Sequence, residues 1–231
     1  MDDDPDRFVG FMDQAGVDRA CMFNVWYGDA SYGNDMTAKF VATYPERFVG
    51  ACFVNPHYPE EIVPELERGF GELGMRYIKL YPAYLGRPVD DPLYEVVFEW
   101  AEPRGAVILS HHDRWPEPRR YIGLAHRFPN IRWVIAHGGN GPLGQEEAVV
   151  AAQAAPNIYL ETSTSFGDGR TIEYLVEGAG EDRVLFGSDM PEQDVRYQLG
   201  RVITADISTQ AKCKVLGLNA MKLLELDTDH V

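Results

Sequence analysis

A chain of 231 residues that is 45% hydrophobic is long enough for one large buried core, so a single undivided domain over residues 1–231 is expected. Its formal charge of -15, from 36 acidic against 21 basic residues, makes a surface that repels phosphate backbones and anionic headgroups, which excludes nucleic acid and membrane surfaces as expected partners. No apolar run reaches the roughly 18 residues of a membrane span, and no basic-then-apolar leader opens the chain. Cys21, Cys52 and Cys213 lie too far apart for a disulfide framework or a metal knuckle, so a reducing, cytoplasmic setting is the expectation.

The triplet Asp2-Asp3-Asp4 reads as a solvated terminus, and a helix is expected over Pro5 to Ala15 with Gly16 closing it. Seven apolar strands are then expected near Ala20 to Val25, Phe48 to Val54, Met75 to Leu80, Val107 to Ser110, Trp133 to Ala136, Ile158 to Glu161 and Val184 to Gly187. Cys21 and Cys52 fall inside these runs and read as small core residues. Helical patterns lie between them near Asp35 to Tyr44, Pro59 to Leu73, Asp91 to Glu102, Glu117 to Arg127, Leu143 to Ala154, Thr171 to Gly178 and Gln193 to Ile203. Strands alternating with helices give βα units and a parallel sheet. No strand is followed by a glycine-rich phosphate loop, which favours a TIM-type (β/α)8 barrel over a dinucleotide-binding sheet. Because the chain opens with a helix, the first strand of such a barrel is missing, and the unpaired strand edges favour a homo-oligomer.

The strand ends carry the chemistry. The fourth strand runs into His111 and His112, the fifth into His137, and the seventh through Gly187 and Ser188 into Asp189. Imidazole nitrogens and carboxylates held at strand ends are metal ligands or proton-transfer groups, and a histidine titrates near neutrality. Asp189 has two roles open to it, as an oxygen ligand or as the base that aligns a water; an N-cap is the structural alternative. Lys79 and Tyr81 flank Leu80 with like parity and are candidates to bind an anionic substrate, as are Asn24 and Trp26 at the end of the first strand. Thr162-Ser163-Thr164-Ser165 supplies hydroxyls after another strand, with Ser163 a candidate to bind substrate and loop solvation the competing account. His57, His126 and His230 read as loop, helix and tail residues outside the site.

The phrases Gly16-Val17-Asp18-Arg19-Ala20, Pro45-Glu46-Arg47-Phe48, Gly74-Met75-Arg76-Tyr77-Ile78-Lys79-Leu80, Ile135-Ala136-His137-Gly138-Gly139, Arg183-Val184-Leu185-Phe186-Gly187-Ser188-Asp189-Met190-Pro191 and Lys214-Val215-Leu216-Gly217-Leu218-Asn219-Ala220-Met221-Lys222-Leu223 follow one another in an order that resembles the amidohydrolase-related group of the amidohydrolase superfamily. That group includes aminocarboxymuconate semialdehyde decarboxylase, aromatic-acid decarboxylases and lactonases. The resemblance implies a barrel whose mouth holds a divalent metal, usually zinc, with a small carboxylate or lactone as substrate. It implies His111 as a metal ligand, with His112 as the alternative at a register shifted by one. It further implies His137 as the proton-transferring histidine and Asp189 as the carboxylate that contacts metal or water. The chain departs from the group in lacking the His-x-His pair of its first strand, since no histidine precedes His57. The expected activity is attack of activated water on a lactone, amide or related carbonyl. The alternatives are non-oxidative decarboxylation of an aromatic or unsaturated acid, and a degenerate barrel that binds a small acid or serves as an assembly subunit.

Overall fold

A computed structural model describes residues 4–112, 118–164 and 169–226. Asp2, Asp3, Glu117, Ser165 and His230 lie outside the described residues. The chain divides into two compact units, Met1–Leu80 with Leu93–Trp100, and Tyr81–Pro92 with Ala101–Val231.

In the first unit, α1 spans Pro5–Ala15, with the Asp4 side chain accepting from the Asp6 amide and Gly16 closing the helix at φ 69°. Strands β1 (Ala20–Met22), β2 (Phe48–Phe53) and β3 (Tyr77–Leu80) run parallel, with Ala20 beside Phe48 and Ala51 beside Tyr77. Every residue of β2 and β3 is buried, as parallel strands covered on both faces must be. Helices α2 (Ala30–Thr43), α3 (Pro59–Gly71) and most of α4 (Glu95–Ala101) belong here. α2 begins five residues ahead of the expected Asp35 because Asp29 caps it, accepting from the Tyr32 amide. Met12, Phe40 and Phe48 join α1, α2 and β2 in one apolar cluster, with the Phe8 ring edge-on to Phe40. Cys52 is fully buried as expected, but Cys21 is exposed. β1 is a three-residue strand with only its middle position turned outward, and that position is Cys21.

The second unit repeats the βα alternation. Strands β4 (Val107–Ser110), β5 (Arg132–Ile135), β6 (Ile158–Glu161) and β7 (Val184–Leu185) pair in parallel and in that order. Helices α5 (Arg120–Arg127), α6 (Pro142–Ala154), α7 (Thr171–Ala179) and α8 (Val195–Ile203) follow successive strands. Beyond them lie α9 (Thr209–Cys213), a π-helical turn over Lys214–Leu218 and α10 (Asn219–Leu223), which the periodicity of the sequence does not announce. This last segment completes the sheet end. The Phe186 amide donates to the Val215 carbonyl at 2.8 Å, and the Asn219 side-chain amide donates to the Val184 carbonyl at 2.8 Å. β7 is two residues long rather than four because its next amide bonds to this segment instead of a strand. No helix among the described residues is long and apolar enough to cross a membrane.

Candidate functional site

The strand-end candidates of the first unit are held by packing. Thr37 Oγ1 takes the Asn24 backbone amide at 2.8 Å and the Asn24 side-chain amide at 3.3 Å, which fixes the end of β1 against α2. Gly33 lets α2 come that close, since a Cβ there would stand 2.7 Å from the Asn24 carbonyl oxygen. Lys79 is 2% exposed, with its ammonium 4.4 Å from the centre of the Phe23 ring, so its charge rests on an aromatic face. Trp26 is exposed and meets Tyr32 edge-on.

In the second unit the strand ends converge. β5 stops at Ile135, and the chain enters a tight turn over Ala136–Gly139 in which His137 adopts φ 60°, ψ 17° and Gly138 φ 54°, ψ 27°. A left-handed backbone at a residue with a side chain is unfavourable unless its surroundings hold it. Glu161, at the end of the neighbouring strand β6, supplies the hold: its Oε2 accepts the His137 backbone amide at 3.1 Å. The same carboxylate accepts the Ser163 amide at 2.7 Å on Oε1 and the Ser163 hydroxyl at 2.8 Å on Oε2.

The His137 ring lies between Ser163 and His111. Its Nδ1 is 3.0 Å from the Ser163 carbonyl oxygen and 3.0 Å from Ser163 Oγ. A carbonyl only accepts, and the Ser163 hydroxyl proton is directed to Glu161, so His137 Nδ1 must carry a hydrogen. Neutral His137 therefore has its lone pair on Nε2, which is 3.1 Å from His111 Nδ1. His111 then donates through Nδ1 and keeps its own lone pair on Nε2. Both imidazoles are buried. Tyr81 stacks on His111 with centroids 4.7 Å apart and planes 16° apart, and Tyr84 meets the same ring edge-on at 4.9 Å.

The loop after β6 is tied down from α8. Arg201 donates to the Thr162 carbonyl at 2.8 Å and Gln198 donates to the Thr164 carbonyl at 2.9 Å. Burial lowers the Arg201 guanidinium from its usual value, and the nearby Tyr197 and Glu161 charges oppose that shift.

Of the two adjacent histidines it is His111 that meets His137, while the buried His112 ring faces Tyr121 with centroids 6.0 Å apart. Asp189 is half-buried with φ 55°, and among the described residues its carboxylate takes no hydrogen bond. Its backbone carbonyl accepts the Gln193 amide at 3.0 Å, and the N-cap of α8 is Asp194 instead. His57 donates its amide to Asn55 within a loop of the first unit, and the His126 ring contacts the Ala154 carbonyl. Glu161 is the participant that the reading of the sequence left without a role. Its signal was the one that marked Asp189, an apolar strand, Ile158-Tyr159-Leu160, running into an acid.

As a test of metal fit, His111 and His137 are bonded to each other, and no group of three or more His, Cys, Asp or Glu side chains among the described residues is placed to hold an ion. The donor set present does not make a metal centre by itself.

A family model described as amidohydrolase matches residues 1–226. The γ-resorcylate decarboxylase of Rhodococcus jostii is 24% identical over 253 residues, 86% of this chain and 77% of that protein. The 2-amino-3-carboxymuconate-6-semialdehyde decarboxylase of Caenorhabditis elegans is 27% identical over 118 residues, 48% of this chain but only 29% of the worm enzyme. Among solved structures, a TIM-barrel protein of Bordetella bronchiseptica aligns with a TM-score of 0.82 at 22% identity, over 95% of this chain and 82% of that one. A 5-carboxyvanillate decarboxylase of Novosphingobium aromaticivorans, solved with manganese and a nitrobenzoic acid, aligns with a TM-score of 0.78 at 23% identity, over 95% of this chain and 80% of that one. At these identities the structural likenesses establish the fold: the TIM-barrel type, here with seven parallel strands and a helix as the first described element.

Proposed function

This chain belongs to the amidohydrolase family, and on that premise we propose that it is a non-oxidative decarboxylase of a small aromatic carboxylic acid. The observation that carries the reading is the His137 ring, fixed through Nδ1 and sharing its Nε2 with His111 beside Tyr81 and Tyr84. Loss of a carboxyl group from an aromatic ring needs one proton delivered to the carbon that bears it. The ring then loses its aromaticity, the carbon–carbon bond to the carboxylate breaks, its electron pair returns to the ring and carbon dioxide leaves. A buried imidazole pair with one further proton on it can supply that proton, and tyrosine faces suit a flat substrate. The curated relatives named above are both decarboxylases, which also supports this reaction over hydrolysis. Hydrolysis would need a carboxylate working with His137 on a water, and Asp189 makes no hydrogen bond to that ring among the described residues. The manganese of the Novosphingobium enzyme belongs to that protein, and no step here is routed through a metal.

Incubation with 2,6-dihydroxybenzoate and 5-carboxyvanillate in D2O, followed by NMR, tests the reading. The expected product carries one deuterium at the vacated ring carbon. His137→Ala should slow turnover by about 10²- to 10⁴-fold, the range for a lost general acid, and His126→Ala should leave it unchanged. Lactone hydrolysis without decarboxylation of either acid would reverse the assignment.

A further inference from the structure

We propose that Glu161 is a positioning residue that fixes the tautomer and the aim of His137, acting through the backbone of His137 and through both hydrogen-bonding groups of Ser163. Its importance for turnover rests on the decarboxylase reading above, but its effect on the imidazole does not.

Glu161 is 8% exposed and its carboxylate receives three donors, each from a group that touches or carries the imidazole. The amide of His137 sits on Oε2 and holds a backbone conformation that a residue with a Cβ otherwise avoids. The amide of Ser163 sits on Oε1, which sets the loop from which the Ser163 carbonyl reaches Nδ1. The hydroxyl of Ser163 points its hydrogen to Oε2, leaving only lone pairs toward Nδ1. The two backbone amides require an acceptor, and the Ser163 hydroxyl keeps its hydrogen away from Nδ1 only while it also faces one. The carboxylate is also confined from the side. Gly187, just beyond β7, lies against it so closely that a Cβ at that position would overlap the carboxylate, while the Gly187 amide donates to Thr162 Oγ1 at 3.3 Å.

The isosteric variant Glu161→Gln replaces one acceptor oxygen with a donor. Wherever the amide nitrogen turns, it faces a group that is itself a donor in the wild-type network. The Ser163 hydroxyl can then release its hydrogen toward Nδ1, which admits the Nε2–H form of His137. That tautomer turns a donor toward His111, whose Nδ1 is also a donor.

The test is ¹⁵N NMR of the histidine rings in the full chain, with the His137 signals assigned by their loss in His137→Gln. Spectra are recorded about two pH units above the ordinary imidazole value of about 6.5 so that the rings are neutral. Wild type is expected to show His137 as the Nδ1–H tautomer; a predominant Nε2–H form there overturns the proposal, with no variant needed. Folded Glu161→Gln, judged by circular dichroism, is expected to populate both tautomers, and an unchanged wild-type pattern overturns it equally. If the decarboxylase assignment holds, kcat in Glu161→Gln falls by about 10- to 100-fold, as for other residues that orient a working histidine, with KM within about twofold. The ring spectra involve no substrate, so they stand or fall apart from the reaction assigned.

Discussion

The strand ends of the two units use the same kinds of residue to opposite effect. In the first unit Asn24 and Lys79 follow or close apolar strands, yet the amide is occupied by Thr37 and the ammonium lies on the Phe23 ring. In the second unit His111, His137, Glu161 and Ser163 also stand at strand ends, but their polar atoms bond mainly to one another. A polar group tied to a helix beside it closes a barrel layer. One tied to other strand ends, with a left-handed backbone in its midst, is arranged for chemistry.

Substitutions can sharpen or break this contrast. With both histidines left in place, the largest effect of the remaining substitutions is expected from Gly187→Ala, whose methyl group must push the Glu161 carboxylate away from three donors. It should reduce decarboxylation by about 10- to 100-fold, and its overpacking should cost about 1–3 kcal/mol in urea melts. An alanine accepted with full activity would mean that the carboxylate need not stay where it is.

A change of the opposite character is expected from Thr37→Val in the first unit. It strands the buried Asn24 amide groups and should destabilise the protein by about 1–3 kcal/mol, with kcat within about twofold of wild type; a large fall in kcat would erase the distinction between the units. The smallest effect concerns Asp194, which caps α8 and is held at about 2, below its ordinary 3.8, chiefly by its hydrogen bond with the Arg196 side chain. A lowered folded-state value means that the carboxylate's contribution is present above about 4 and is lost as pH falls toward 2. The melting temperatures of wild type and Asp194→Asn should therefore differ slightly at neutral pH and converge below pH 2, and a difference that persists in acid would assign the effect to something other than the charge.

The alternation of strands and helices was legible because buried parallel strands read as apolar runs and helices as periodic ones, and all seven strands stand where expected. Their ends were less so: β7 gives up half its expected length to the C-terminal segment, a bond between residues about 30 positions apart that no local pattern contains. Among the site residues, His111 and His137 could be named from their positions, but which of His111 and His112 meets His137 is not written in the apolar run that precedes them both. Glu161 carried a visible signal that was read only at Asp189. The pairing of the two imidazoles was beyond the sequence, because it is set by the lateral register of β4 on β5, where Ser110 lies beside Ile135.

The bonds from Asn219 and Val215 to the end of β7 also bear on the order in which the protein can be made. Ribosomes deliver the chain from its N-terminus, and segments generally fold as they emerge. The strand that leads to Asp189 leaves the tunnel well before these partners, with the Val184 carbonyl and the Phe186 amide still open. The second unit can therefore finish its sheet only after residue 219 has emerged, and a ribosome stalled before it would display β4, β5 and β6 with an unfinished neighbour. Nascent-chain proteolysis at successive stall positions should show protection of the Val184 region arriving late and abruptly.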